Sequence, residues 1–231
     1  MTSQFQRARS PEAKREREEA ILDAATRLAG ERGVREVTLT DIADAVGMHK
    51  SAMLRYFETR EEIYLRLTAR GWTEWVAALQ AQLDDVGRRT AGAPRERVPA
   101  AAQALTRSLV SRPLFCDLLA HAPLNLERNV SLETVRTFKL SALAQSAAAS
   151  RALATCLGLE EAQARNTITA ATTMAGALHQ IAAPHTPALR HLYASDPDLT
   201  HALVDVEPRL TDILTTLITG YLATSGTVGG G

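Results

Sequence analysis

Side chains that can bind a polyanion are concentrated in one short part of the sequence, residues 38–60. We expect a helix over residues 49–57 in which Met53 and Tyr56 face inward. Its outer side would then present five residues: His49, Lys50, Ser51, Ala52 and Arg55. Lys50 and Arg55 can each hold a phosphate or bind guanine O6 and N7, and Ala52 can contact a thymine methyl group. This chemistry is suited to recognition of duplex DNA.

Further hydrogen-bond donors flank this helix. Thr38, Thr40 and the start of the helix that follows them offer hydroxyl and N–H groups to a phosphate, and Arg60 can hold another. Plainer explanations exist, because Thr38 caps a helix with or without DNA and exposed arginines are often only solvated. Tyr56 is partly core by its spacing, so its hydroxyl is open to a phosphate contact or to none.

The spacing of Ala43 and Gly47 predicts the elements that position these side chains. In a helix-turn-helix, two short helices meet at a wide angle, so a small residue is needed at the contact and a glycine in the turn. The apolar positions that would tie both helices to a supporting helix are also filled: Ile42, Val46, Met48, Met53 and Tyr56. Thr38 and Asp41 fit a capping box at the start of the first helix.

Three segments of this region resemble the TetR family of bacterial transcriptional repressors. They are ThrLeuThrAspIleAla (38–43), ValGlyMetHisLys (46–50) and ArgTyrPheGluThrArgGluGlu (55–62). The resemblance implies a homodimer with an N-terminal DNA-binding domain and a C-terminal domain for ligand binding and dimerisation. The implied partners are a double-stranded DNA operator, a second copy of the chain and an unidentified small-molecule effector.

Two positions depart from the usual pattern of that family. His49 stands where Ser or Thr usually caps the recognition helix. Leu54 replaces an aromatic residue whose hydroxyl many relatives direct at a phosphate. The phosphate contacts would therefore depend more on Lys50, Tyr56 and Arg60.

The rest of the chain is predicted to be helical as well, which makes the fold class all-α: an N-terminal three-helix helix-turn-helix domain plus a C-terminal helical domain. We expect a disordered arm at 1–16, the DNA-binding domain at 17–70, the ligand-binding and dimerisation domain at 71–225 and a flexible tail at 226–231. Beyond residue 58, helices are expected at 59–70, 72–86, 100–110, 113–120, 131–157, 160–183 and 207–223, with a connector at 87–99 and a loop at 184–197.

Two of these helices have apolar residues on more than one side. The segment 166–189 contains no Asp, Glu, Lys or Arg, yet its threonines, histidines and prolines do not suit a membrane span. The helix at 207–223 is similarly apolar. We expect the two to form a four-helix interface between two subunits through Ile168, Ala171, Ala175, Leu178, Leu210, Leu214, Leu217 and Tyr221. A monomeric core is the alternative.

A ligand pocket is expected between the helices at 72–86, 113–121 and 131–157. Its candidate lining residues are Trp75, Phe115, Phe138, Met174 and His179, each of which is also explained as plain core. Because few charges are available there, the ligand would be largely apolar or aromatic.

Composition limits the remaining classes of function. The chain has 231 residues, 26 Lys and Arg against 26 Asp and Glu, and only 4% aromatic residues, which favours packed helices. Residues 1–66 contain 12 basic and 12 acidic side chains, so the DNA-binding part has no excess charge. Cys116 and Cys156 are isolated, so neither a disulfide framework nor a zinc cluster is expected. The first residues lack the apolar run of a signal peptide, and we expect a cytoplasmic protein with no membrane partner.

Catalysis and metal binding have little support in the sequence. The spacing of the C-terminal histidines does not suit a metal site: His179, His185, His191 and His201. No phosphate-binding loop or nucleophile motif occurs, so we expect no cofactor, no metal and no enzyme activity. The rival hypothesis is a small-molecule carrier or an enzyme with an incidental N-terminal segment, whose activity would not change when Lys50 and Arg55 are replaced by alanine.

Overall fold

The structure is a computed structural model that describes residues 11–90, 92–182, 187–202 and 204–225. These residues form helices and no strand, which confirms the predicted all-α class. The helices are α1 (Pro11–Arg32), α2 (Leu39–Ala45), α3 (Lys50–Met53), α4 (Arg60–Arg89), α5 (Pro94–Val110), α6 (Pro113–His121), α7 (Leu132–Leu157), α8 (Glu161–Ala182), α9 (Pro187–Ser195) and α10 (Val206–Ser225). A π-helical turn, Ala122–Leu126, follows α6, and a 3₁₀ turn, Pro197–Ala202, follows α9.

Helix α4 runs through two hydrophobic clusters. The N-terminal cluster lies between α1, α2, α3 and the first turns of α4, and it includes Ile21, Ile42, Met53, Phe57 and Ile63. The second cluster forms the helical body between α4, α5, α7, α8 and α10, and it includes Trp75, Leu79, Leu105, Leu153 and Ile168. Leu118 of α6 and Phe138 of α7 belong to the N-terminal cluster, so the body helps to cover it.

Gly71 does not interrupt α4, which corrects the predicted boundary between helices at 59–70 and 72–86. A Cβ at residue 71 would lie 2.5 Å from Cδ2 of Phe115 on α6. The Phe115 ring in turn packs edge-on against Trp72, with ring centroids 5.7 Å apart. Gly71 therefore makes room for the Phe115 ring of α6, and α4 continues through it without a break.

The N-terminal boundary also differs from its prediction. Helix α1 begins at Pro11, so residues 11–16 are helical, although the whole of 1–16 was expected to be a disordered arm. Ion pairs Arg15–Glu12 at 3.4 Å and Lys14–Glu18 at 3.7 Å lie along this exposed first part of the helix. Residues 1–10 and the expected tail at 226–231 lie outside the described residues.

Two expected connecting segments are partly helical. Helix α4 continues through Gly87 to Arg89 and α5 begins at Pro94, so the connector is much shorter than 87–99. Proline suits the first turn of α5 because its missing N–H has no partner there. The expected loop at 184–197 contains α9 from Pro187 to Ser195, and residues 183–186 lie outside the described part.

The uncharged segment that begins at Asn166 continues α8 to Ala182, and α8 packs against α6, α7 and α10. None of the described helices is long and apolar enough to cross a membrane. Gly176 permits the close approach of α8 to α6, since a Cβ there would lie 3.0 Å from the backbone nitrogen of Ala120 and 3.3 Å from the carbonyl oxygen of Cys116.

Replacing Gly176 with alanine is expected to destabilise the protein by about 1–3 kcal/mol, because the added methyl group meets backbone atoms that cannot rotate away. The matched control is Gly87→Ala, in the last turn of α4, where a Cβ meets no atom within 4 Å. That change should stabilise by up to about 1 kcal/mol through helix propensity. Urea unfolding of both variants measures the difference, and an equal effect at the two positions would contradict the close approach.

Candidate nucleic-acid interface and effector cavity

Helices α2 and α3 meet at the two residues that the spacing predicted. Ala43 is buried at the contact, and Gly47 in the turn has φ +65°, a left-handed conformation that favours glycine. The N–H of Met48 donates to the carbonyl oxygen of Ala43 at 2.9 Å and closes the turn. The predicted helix-turn-helix is therefore present.

The second helix of this unit presents cations outward. Met53 is fully buried, whereas His49, Lys50, Ser51 and Arg55 are exposed and Ala52 is half-buried. The α-helix ends at Met53, whereas the prediction extended it to Phe57. After Met53 the hydrogen bonds form a turn: Arg55 N–H to Ala52 O and Tyr56 N–H to Met53 O. His49 is the N-cap residue and its side chain makes no capping hydrogen bond.

Leu54 is a part of this surface that the sequence did not assign. It is 53% exposed and lies between buried Met53 and exposed Arg55. Leucine at this position lacks the hydroxyl of an aromatic residue, but an exposed apolar side chain beside a cation can itself contact a sugar or a thymine methyl group. Tyr56 is half-buried and packs on the N-terminal cluster.

Thr38 uses its side chain within the protein. Its hydroxyl donates to Oδ2 of Asp41 at 2.6 Å and accepts from the Asp41 N–H at 3.2 Å, while the Thr38 N–H donates to Asp41 at 2.7 Å. The predicted capping box is thus formed, and these bonds from Thr38 hold the pKa of Asp41 below its ordinary value. Because its hydroxyl proton is engaged, Thr38 is a poorer phosphate donor than exposed Thr40.

Arg60 is also engaged within the protein, which changes its predicted role as a phosphate contact. Its guanidinium donates to the carbonyl oxygens of Val34 and Val37 and to Glu61 at 3.0 Å. It also lies 4.8 Å above the centre of the Tyr64 ring. With most of its donors used, Arg60 braces the turn between α1 and α2.

Tyr64 lies beneath Arg60 and is fully buried. Burial raises the pKa of its hydroxyl to about 12, although the charge of Arg60 acts in the opposite direction. The hydroxyl has no hydrogen-bond partner within the described part of the chain. Its stabilising contribution therefore comes from the ring, which supports the guanidinium.

A cavity of about 290 Å³ lies in the body between α4, the π-helical turn, α7 and α8. Its lining combines apolar side chains with hydroxyls: Thr68, Trp72, Leu119, Ala122, Phe138, Ala142, Leu143, Ser146, Thr169, Thr172 and Thr173. Lys139 and Glu127 also line it and form an ion pair at 2.7 Å. The threonines come from the uncharged stretch of α8, which was the signal in the sequence that could have located this wall.

The five predicted pocket residues are not brought together. Phe138 lines the cavity, but Trp75 is fully buried and its indole N–H donates to Ser108 at 2.9 Å. Phe115 packs on Trp72 in the core, and Met174 packs half-buried against the same cluster. His179 lines a different cavity beside Asp117, where α8 approaches the end of α1. Aromatic residues placed by helix order alone thus proved mostly to be core.

Most of the predicted dimer residues face the core of their own chain. Six of them are buried there and have little surface left for a partner: Ile168, Ala171, Ala175, Leu178, Leu210 and Leu214. Only Leu217 and Tyr221 of the predicted set remain half-exposed. The opposite face of α8 is exposed and carries mainly small side chains: Ala162, Asn166, Thr169, Thr173, Ala177 and Ile181.

Metal-ligating residues do not converge within the described ranges, where no group of three or more His, Cys, Asp or Glu is placed to hold an ion. His185 lies outside those ranges. Cys116 and Cys156 are free and buried, and burial raises the pKa of Cys116 to about 12, with a smaller contribution from the charge of Asp117.

An all-helical chain that presents an exposed cationic helix from a helix-turn-helix has the architecture of a DNA-binding regulator. Comparison with known families agrees. Residues 21–67 match the family of bacterial regulatory proteins named tetR, and residues 69–225 match the tetracycline repressor-like C-terminal domain. The chain belongs to the TetR family and is a DNA-binding transcriptional regulator, not an enzyme.

Several solved structures share the fold at low sequence identity. A possible TetR family regulator from Streptomyces coelicolor A3(2) is 18% identical with a TM-score of 0.58, over 90% of this chain and 99% of that one. The fatty acid degradation regulator FadR from Bacillus halodurans is 14% identical with a TM-score of 0.53, over 93% and 98%. A TetR variant from Acinetobacter baumannii in complex with minocycline is 13% identical with a TM-score of 0.51, over 88% and 95%. No curated protein matches the chain.

Replacing Arg60 with lysine is expected to destabilise the protein by about 1–3 kcal/mol, since an ammonium cannot serve two carbonyls and a ring at once. The control is Arg88→Lys on the same helix, where the side chain is exposed and pairs with Asp85 at 3.4 Å. Chemical unfolding followed by circular dichroism compares the two. Equal stability of both variants would show that Arg60 is not a brace.

Proposed function

We propose that this chain is a homodimeric repressor that leaves its operator when a small, largely apolar ligand binds to the helical body. One observation carries the proposal: α4 connects an exposed cationic recognition helix with a cavity of about 290 Å³ that it helps to line. We assign DNA binding to residues 17–70 and ligand binding and dimerisation to residues 71–225.

Lys50 and Arg55 would make the main contacts with DNA. Both are exposed, and neither forms an ion pair with another residue in the described part of the chain. The other contacts would come from residues on the same surface: Thr40, His49, Ser51, Ala52, Leu54 and Tyr56. Thr38 and Arg60 would act from behind it, by capping α2 and by holding the preceding turn.

The cavity favours a ligand with an apolar body and a small polar group. Trp72, Phe138 and Leu143 provide the apolar wall, and the three threonines of α8 provide hydroxyl groups. The Lys139–Glu127 pair can exchange one partner for a polar group of the ligand. Solved structures that share this fold include a regulator named for fatty acid degradation and one in complex with minocycline, and the second of these holds an organic small molecule.

Dimerisation through the exposed face of α8 and the adjoining face of α10 would set the distance between two recognition helices. Small residues such as Ala177 and Gly220 permit close helix contact across a twofold axis. Two half-sites about 34 Å apart, one turn of DNA, would then be read together. A ligand that binds more tightly to a dimer with another spacing would lower the affinity for the operator. The size of the effect is set by the difference between the ligand's affinities for the two forms of the dimer.

Alanine at Lys50 or at Arg55 is expected to weaken specific DNA binding about 5- to 100-fold, because each removes a charged contact with a base or phosphate. The probe is a duplex selected from genomic fragments with the wild-type protein, and fluorescence anisotropy at several salt concentrations is the measurement. Arg88→Ala, at the far end of α4, is the control and should bind normally. Failure of the wild-type protein to bind any duplex at low salt would contradict the proposal.

Replacing Ala177 with arginine is expected to convert the dimer to a monomer, since the interface would have to bury an unpaired guanidinium. The matched control is Ala77→Arg, on the exposed side of α4, which should leave the dimer intact. Light scattering after size-exclusion chromatography at micromolar concentration measures the mass. A dimer that survives in the Ala177→Arg variant would place the interface elsewhere.

A further inference from the structure

A buried carboxylate of the body contacts the main chain of the DNA-binding unit. Asp117, on α6, is almost fully buried, and its Oδ2 accepts the N–H of Val34 at 2.8 Å. Val34 lies in the turn between α1 and α2, directly before the helix-turn-helix. The two residues are 83 positions apart in the sequence, so this bond joins two separate parts of the fold.

Two side chains orient the carboxylate. The side-chain amide of Gln180, near the end of α8, donates to Oδ1 of Asp117 at 2.7 Å, and Nε2 of His121 lies 3.3 Å from the same oxygen. Burial raises the pKa of Asp117, but the bonds from His121, Val34 and Gln180 outweigh it, so the pKa lies below its ordinary value. The carboxylate is therefore charged at neutral pH and fixed in direction.

The same turn is held from the opposite side by α4. Arg60 donates to the carbonyl oxygen of Val34, and Asp117 accepts from the N–H of Val34. Both backbone polar groups of Val34 are therefore bonded to other helices. Gly33, before it, has φ +85° and lies against Asp117, since a Cβ there would be 3.8 Å from Oδ2. The turn can therefore move only if one of these helices moves or a bond breaks.

We propose that Asp117 is a positioning residue for DNA recognition, which sets the orientation of the helix-turn-helix relative to the body by holding the N–H of Val34. Its acceptor oxygen, and not its bulk, performs this role. The connection to Gln180 also reaches α8, whose threonines line the cavity. Only this last step rests on the proposed ligand response.

Hydrogen exchange at the Val34 amide tests the proposal without any DNA. Replacing Asp117 with alanine should raise that exchange rate about tenfold or more, because a bond to a charged acceptor is lost. Asp117→Asn keeps an acceptor oxygen for Val34, and its amide nitrogen can donate to the Gln180 side-chain oxygen once that amide rotates, so this variant should stay within about threefold of the wild type. The control is Ser108→Ala, which removes the buried bond to Trp75 within the body and should leave Val34 unchanged.

DNA affinity is the second measurement, with a duplex selected by the wild-type protein. Asp117→Ala should bind it at least about fivefold more weakly than Ser108→Ala at equal thermal stability, and Asp117→Asn should restore binding. Equal Val34 exchange in Asp117→Ala and Ser108→Ala, or no recovery in Asp117→Asn, would overturn the proposal. If Asp117→Ala does not fold, Gln180→Ala is the test variant, because it removes a side chain that orients the Asp117 carboxylate. Unchanged exchange at Val34 in Gln180→Ala would also contradict the proposal. The exchange result stands even if no operator is found.

Discussion

One uninterrupted helix, α4, constrains the rest of this structure. Its first turns complete the cluster that holds α2 and α3, and its later turns carry Trp72 and Trp75 into the core of the body. A helix of this length resists bending because each of its turns is hydrogen-bonded to the next. A displacement of its side chains at the cavity would therefore be transmitted along the axis to the first turns of α4, which pack against the helix-turn-helix.

The turn between α1 and α2 is bonded on two sides, and these bonds fix the orientation of the helix-turn-helix relative to α4. The N-terminal cluster alone would allow rotation about α4, because apolar packing is not directional. Hydrogen bonds from Arg60 and to Asp117 are directional, and they act on the same few peptide groups. Packing thus gives the unit its stability, and polar contacts specify its angle.

The sequence predicted those parts of the structure that depend on neighbours along the chain. Ala43, Gly47 and the Thr38–Asp41 capping box were identified because their requirements lie within a few residues. The predicted break between the helices at 59–70 and 72–86 was wrong, because Phe115, the residue against which Gly71 packs, is distant in the sequence. Asp117 gave no signal at all, since a single carboxylate is unremarkable until Val34 and Gln180 are placed beside it.

The spacing of apolar residues predicted which side chains are buried, but not whether the same chain or a second subunit covers them. Ile168 and Leu210 are buried, as their spacing required, but by helices of the same chain and not by a second subunit. A stripe of leucine or isoleucine is the ordinary mark of a protein core, whereas the exposed side of α8 consists of small residues that no hydrophobic pattern detects. The helices predicted to enclose a pocket each contribute a residue to the cavity, namely Trp72, Leu119 and Phe138, but the threonines of α8 in its wall were not predicted.

The ion pairs along α1 have a consequence for how the protein would search a chromosome. Arginines that could attract any stretch of duplex are paired with acids instead, as in Arg70 with Glu19 at 2.6 Å and Arg27 with Glu31 at 3.7 Å. Residues 1–66 contain 12 basic and 12 acidic side chains, so the DNA-binding part has no excess positive charge with which to retain random sequence. Such a regulator would travel mostly through solution between brief encounters, and few copies per cell would be lost to genomic competition.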